Sequence, residues 1–141
     1  MTTIAQSIKS LLAADSSLTA LVTGGIYAAE DIGEITRQSA PAAFDANKEI
    51  LPCLLIKVDG EADIPPHRTG SRMMVSIFGY QRSGHATIVA ALDKVYVDLH
   101  RQKLSGQRVW EVRHANDIHD EEDQGLQCSM DVSRFEVYRL R

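Results

Sequence analysis

The sequence predicts an α+β fold: a single antiparallel β-sheet with an N-terminal helix and a long central helix packed mainly on one face, and with long inter-strand loops. Three observations lead there. Apolar residues recur at helical spacing near the start and again between residues 86 and 99, while the segments around 51–58, 72–80, 110–114 and 126–137 are strand-like runs or alternations. The order is helix, small strand, strand, long loop, strand, helix, strand, strand, which suits a sheet with helices to one side. The 141 residues fit one domain, 1–141, large enough to bury about two-thirds of the unfolded surface.

Ile4, Ile8, Leu11 and Leu12 share a helical face, and Thr3 with Gln6 fits a capping box, so a first helix is expected over about 3–14. Asp15 and Ser16 offer caps for a second short turn carrying Leu18, Leu21 and Val22, stopped by Gly24 and Gly25. Ile26 and Tyr27 begin a short strand. Residues 28–50 have no sustained period and read as a long loop with room for one short strand.

"LPCLLIKV", 51–58, is apolar on both sides except for Lys57, as in a central strand covered on both faces or packed in an oligomer, with Pro52 at its start. "DGEADIPPHRTGS", 59–71, carries two prolines, two glycines and both signs of charge, and is expected to project as an extended loop whose flanks pair antiparallel. In the next strand Met73, Val75 and Ile77 form one face and Met74, Phe78 and Tyr80 the other.

The clearest helix is "SGHATIVAALDKVYVDLHRQKLSG". Ile88, Leu92, Val95 and Leu99 make its stripe, widened by Val89 and Tyr96, with Ser83 expected as N-cap and Gly106 as the stop. Trp110, Val112 and His114 then alternate with Glu111 and Arg113. In the last strand Leu126, Cys128, Met130 and Val132 alternate with Gln127, Ser129 and Asp131. The apolar side shifts to Phe135 and Val137 after Val132, which predicts a β-bulge near Ser133 or Arg134.

A net charge of -4 and a pI near 5.7 remove the electrostatic footprint of a protein that grips nucleic acid phosphates over a broad surface. No apolar run approaches the roughly 20 residues of a membrane span, and no basic segment precedes an apolar one at the start, so a soluble, unexported chain is expected. Cys53 and Cys128 lack CxxC partners and read as buried reduced thiols.

"DIHDEEDQG", 117–125, concentrates Asp117, Asp120, Glu121, Glu122 and Asp123 between two strands, with Gly125 favouring a turn. The run therefore reads as the solvated tip of a hairpin, or as an interface or channel-facing loop. A divalent metal site built with Asp59, Glu61 or Asp63 is the chemical alternative, but the EF-hand spacing and its glycine are missing. His67, His85, His100, His114 and His119 form no HExxH or HxH pairing, and no GxSxG, P-loop or three-glycine dinucleotide pattern occurs. His114 reads as semi-buried, and His100 as favouring the helix C-terminus. Arg68 and Arg72 in the 59–71 region read as exposed pair-forming charges. No catalytic, cofactor-binding or metal residue is assigned.

An N-terminal helix closing in "SSLTALVTGGIYAA", a segment leading to "ILPCLLIKVDGE", a loop to "RMMVSIFGY", the helix "ATIVAALDKVYVDL" and a final strand pair together resemble tail-terminator and tail-completion proteins of long-tailed bacteriophages, over essentially the whole chain. The resemblance implies a small α+β virion protein, assembled in the host cytoplasm into a ring, typically of six subunits. Such a ring sits at the head-proximal end of the tail tube, stops tube growth and docks to the head connector.

The partners implied are further copies of the chain, the tail-tube protein and the connector, with DNA only in passage through the lumen, and with no membrane, cofactor or catalysis. The residues expected at a channel or subunit boundary are Asp117, Asp120, Glu121, Glu122 and Asp123 in the acidic loop. Asp59, Glu61, Asp63, Arg68 and Arg72 in the long loop are expected between subunits. A head-completion ring on the connector is the neighbouring alternative; a small metal-dependent hydrolase using 117–123 and a monomeric host adaptor domain are the others.

Overall fold

The structure, a computed structural model, describes residues 2–64 and 67–140. Its elements in order are α1 (Ile4–Ala13), α2 (Ser16–Leu21), β1 (Ile26–Ala28), α3 (Ala29–Ile32), β2 (Cys53–Ile64), β3 (His67–Gln81), α4 (Ala86–Leu99), β4 (Val109–Asp123) and β5 (Cys128–Leu140), with single 3-10 turns at Pro41–Ala43 and Ser105–Gln107. One five-stranded sheet runs β1-β2-β3-β5-β4. The α+β class holds, and three of the four strand pairs are antiparallel. The fourth differs from the expected pattern: β1 runs parallel to β2, because residues 29–52 form a crossover rather than a hairpin between them.

The first two helices begin as their sequences require. Thr3 Oγ1 accepts the Gln6 N–H at 3.2 Å while Gln6 Oε1 accepts the Thr3 N–H at 3.1 Å, a complete capping box. Asp15 Oδ1 accepts the Ser17 and Leu18 N–H groups to cap α2. Ile4, Ile8, Leu12 and Leu18 are buried, and with Ile88, Leu92, Val95 and Leu99 of α4 they line or adjoin the helix-covered face of the sheet. That face supplies Leu54, Ile56, Val75, Ile77, Val112, Phe135 and Val137. Gly79 belongs to it as well. A Cβ there would meet the Ile88 Cβ at 3.2 Å, so the missing side chain is what lets α4 approach β3.

The opposite face is covered at one end only. Ile35, Ala40, Ala43 and Ile50 of the 29–52 crossover pack there on Cys53, Leu55, Tyr80 and Cys128, joined by Phe78 and Met130. The crossover contains α3, a 3-10 turn and an isolated bridge between Phe44 and Ile50, but no strand of its own.

This two-sided burial corrects the bulge expected in the last strand. β5 pairs with β3 in continuous register from Gly70↔Leu140 to Gln81↔Ser129. Cys128 and Met130 face the crossover, while Phe135 and Val137 face the helices. A straight strand buried on opposite faces at its two ends produces the same shift in apolar phase as a bulge.

The irregularities lie in β4 instead, with register shifts between Val109 and Glu111, His114 and Asn116, and Ile118 and Glu121. The first turns Trp110 outward, 42% exposed, so Trp110 does not share the buried side of Val112 as its alternation suggests.

Three further expectations are corrected. Residues 59–64 and 67–71 are strand rather than loop: β2 and β3 pair out to Ile64↔His67, so the polar segment is a hairpin arm with only 65–66 outside the described residues. Ser83 does not cap α4; the Thr87 and Ile88 N–H groups donate to Gln81 Oε1 at 3.1 Å each, a cap supplied from the end of β3. Nor does Gly106 stop that helix. It ends at Leu99, and Arg101 adopts a φ of 66° with its N–H donating to the Val112 carbonyl at 2.6 Å.

Candidate functional site

The acidic run is not a hairpin tip. Residues 117–123 form the second half of β4, the outer strand of the sheet, and the turn follows at 124–127. Asp117 lies opposite Ser133, Ile118 opposite Val132, and Glu121, Glu122 and Asp123 opposite Met130, Ser129 and Cys128. Asp120 falls in a register shift with φ 59°. The run remains solvated, as expected: Asp117, Asp120, Glu121 and Glu122 are exposed.

The five carboxylates do different work. Asp117 Oδ1 lies 2.9 Å from His114 Nε2 and accepts the Ser133 hydroxyl. Burial acts to raise its pKa, but those two hydrogen bonds and the nearby His114 and His119 outweigh burial and hold it below the ordinary value. Asp123 Oδ1 accepts the Leu126 N–H at 2.8 Å and so shapes the turn. Asp120, Glu121 and Glu122 leave a band of negative charge along an edge strand. Charge and bulges of this kind keep such an edge from pairing with another sheet.

The second predicted group sits at the other end of the sheet. Arg139 of β5 holds Glu61 through two bonds, Nε to Oε2 at 2.6 Å and Nη2 to Oε1 at 2.7 Å, and the Ser71 hydroxyl also donates to Glu61. This fork raises the Arg139 pKa. Asp59 accepts the Ser76 hydroxyl, Asp63 is paired opposite Ser71, and Arg72 lies 3.7 Å from Glu136. The Arg68 side chain lies outside what the structure describes. Glu61 and Arg72 tie the arm to β5, while Asp59 and Asp63 meet β3, and these residues are not brought together with Asp117–Asp123. Among the described residues no group of three or more His, Cys, Asp or Glu converges as a metal site.

Two features escape the sequence reading. The first is Asp131 of β5, expected on the wet side of its strand but fully buried. Its Oδ1 lies 2.6 Å from His85 Nδ1 at the start of α4, and its Oδ2 lies 2.8 Å from His119 Nδ1 of β4. The Asp120 N–H donates to the same carboxylate at 3.3 Å. A buried carboxylate is tolerated when donors surround it in this way. The contact with Asp131 raises the His119 pKa against a smaller opposing effect of desolvation. No motif announces the trio, since its members are 34 and 12 residues apart in a chain with no spacing rule for them.

The second is the uncovered end of the sheet's crossover face. Trp110 and Tyr138 rings lie 6.1 Å apart, and the Arg113 guanidinium sits 5.8 Å over the Tyr138 ring. Arg113 also bonds Glu111, and the Tyr138 hydroxyl donates to Glu136, which raises the Tyr138 pKa. Exposed Trp110 and Arg113 beside half-buried Tyr138 have the composition of interface centres. Cys53 and Cys128, by contrast, are buried free thiols, pushed up to about 12 and about 11 chiefly by burial. Thiols so placed are poor nucleophiles.

The fold and these surfaces define a class: an α+β module with helices on one sheet face, a half-covered second face and a charged, bulged edge. No protein family matches the sequence, and neither does any curated protein. Among solved structures, a chain from a structure described as "Virion of native gene transfer agent (GTA) particle" shares the fold. It has a TM-score of 0.63 and 16% identity, with 98% of this chain and 95% of that chain aligned.

Proposed function

We propose that the protein is a structural component of a phage-like virion, a single domain that forms a ring at the head-proximal end of the tail tube, stops tube growth and docks it to the head connector. The observation that carries this reading is the fold shared end to end with a chain of the gene transfer agent virion. The sequence resemblance to tail terminators supports it independently. Its partners are then other copies of itself, the tube protein and the connector protein, with no cofactor and no catalytic residue.

The acidic half of β4 suits the lumen of such a ring. Negative walls do not hold phosphates, so DNA slides past Asp120, Glu121 and Glu122 rather than binding them. The β2–β3 arm, with Asp59, Glu61, Asp63 and Arg72, reaches toward the neighbouring subunit or the tube.

The test is to mix the purified protein with the tail-tube protein of the same gene cluster and examine the products by light scattering and negative-stain microscopy. Rings at one end of tubes of limited length are expected. A monomer at every concentration, with tubes growing unchecked in its presence, would overturn the proposal; rings that bind only the connector protein would move it to the head-completion position.

A further inference from the structure

A cavity of about 730 Å³ lies where the 29–52 crossover and the β4–β5 turn meet the sheet. Its sheet side is apolar, from Leu55, Phe78 and Met130, and the Phe78 and Tyr80 rings lie nearly parallel there, 13° apart with centroids at 6.4 Å. The crossover adds Glu34 and Ile35, the turn adds Asp123 and Leu126, and β2 adds Lys57.

The polar groups lining this cavity have bonding capacity left over. Tyr80 is only 6% exposed, yet its hydroxyl makes no hydrogen bond among the described residues. A hydroxyl so enclosed normally has a partner. Asp123 uses Oδ1 for the Leu126 N–H, and among the described residues neither its Oδ2 nor the Glu34 carboxylate meets a donor. Burial first, then Asp123, the two cysteines and Glu34, raise the Tyr80 pKa, so both carboxylates lie within electrostatic reach of the phenol. Lys57 is exposed and pairs with neither carboxylate, which leaves the cavity net negative with all three charges unpaired among the described residues.

We propose that this cavity binds an arginine side chain presented by another polypeptide. The aliphatic stem lies on Leu55, Phe78 and Met130, the guanidinium donates to Glu34 and to the free oxygen of Asp123, and the Tyr80 oxygen accepts a further N–H. A planar, weakly hydrated guanidinium suits this lining because it can stack on aromatic rings while its several N–H groups reach separate acceptors. Other guests fit worse. An apolar one would bury the phenol and both carboxylates without donors, and an acidic one would meet two like charges with only Lys57 to offset them. The site stands on the cavity alone and is independent of the ring reading.

The probe is the peptide acetyl-Gly-Arg-Gly-amide, titrated into isotope-labelled protein and followed by NMR at the Ile35 and Leu126 amides, with lysine, citrulline or glutamate replacing the arginine in parallel titrations. Saturable shifts with a Kd in the millimolar range are expected for the arginine peptide. Binding is expected to weaken about tenfold for citrulline, the uncharged isostere, as loss of hydrogen bonds to charged groups implies, and less steeply for lysine. Tyr80→Phe removes no bond of the fold, so it is expected to melt as the wild type does and yet to bind the arginine peptide about threefold more weakly. Glu34→Gln is expected to weaken binding by a similar factor, and Lys57→Gln to leave it equal or tighter. Citrulline or lysine binding as well as arginine, glutamate binding better, shifts that ignore both Tyr80→Phe and Glu34→Gln, or no saturable shift at all would each overturn the proposal. None of these outcomes bears on whether the chain forms a ring.

Discussion

The two ends of β5 hold different parts of the molecule together. Around Phe135 and Val137 the strand faces the helix layer, and the contacts are apolar and closed to solvent. Around Asp131 the same side of the strand meets His85 and His119, and the contact is a buried carboxylate held by donors. Past both, the reverse side of the strand at Glu136 and Tyr138 is uncovered. One straight strand thus serves a dry core, a polar clamp and an open surface. The difference lies in what each neighbouring element brings, not in the strand's geometry.

The largest test of that contrast is Phe135→Ala beside Trp110→Ala. Phe135 is fully buried, so its truncation is expected to cost about 3–5 kcal/mol in denaturant unfolding, whereas Trp110→Ala is expected to stay within about 1 kcal/mol. Equal losses would mean that the uncovered face is part of the core.

Next is Asp131→Asn, expected to cost about 1–3 kcal/mol by weakening a buried, charge-assisted clamp. It also carries a signature in pH. Because the His119 pKa is raised above its ordinary 6.5, protonated His119 stabilises the fold fully below that value, and the contribution fades as pH rises through the raised pKa. In Asp131→Asn the His119 titration is expected to return toward 6.5 by NMR, and the corresponding slope in stability to vanish.

Removing the α1 cap with Thr3→Ala is expected to cost about 1 kcal/mol, visible as a lowered denaturation midpoint with an unchanged slope.

The smallest expected effect lies at the α2–α4 contact. Burial, and then the neighbouring Asp15, raise the Asp98 pKa from 3.8 to about 6, while Asp15 itself falls to about 2, first through its bond from Ser17. The folded state therefore binds the Asp98 proton more tightly than the unfolded chain, and this contribution to stability is lost as pH rises from about 4 through about 6. Asp98→Asn is expected to flatten the stability profile in that window. A profile with the same slope in the variant would assign it to other groups.

Much of this was legible in residues whose local chemistry agrees with the final packing. The Thr3–Gln6 box, the Asp15 cap, the Ile88–Leu99 stripe and the opposed faces of Met73–Tyr80 all lie where the pattern puts them, because each is decided within a few residues. The failures share one cause. Alternation marks a strand only where one face is dry, and the 59–64 and 117–123 segments are wet on both, so they read as loops although the ladder continues through them. Asp131 was misplaced for the inverse reason: its strand has two dry faces, and a polar residue facing one of them needs partners from distant elements that no spacing reveals. Asp117, Asp120, Glu121 and Glu122 were legible as solvated charge, whereas Asp123, half-buried, shapes the turn that follows.

The three register shifts of β4 have a consequence for how copies can meet. They leave no uninterrupted stretch of the outer strand longer than the four residues Glu111–His114. A neighbouring chain seeking a template for cross-β growth finds only these short rungs, each separated by a kink and the last guarded by carboxylates. The kinks and the carboxylates together disfavour fibril growth along that edge.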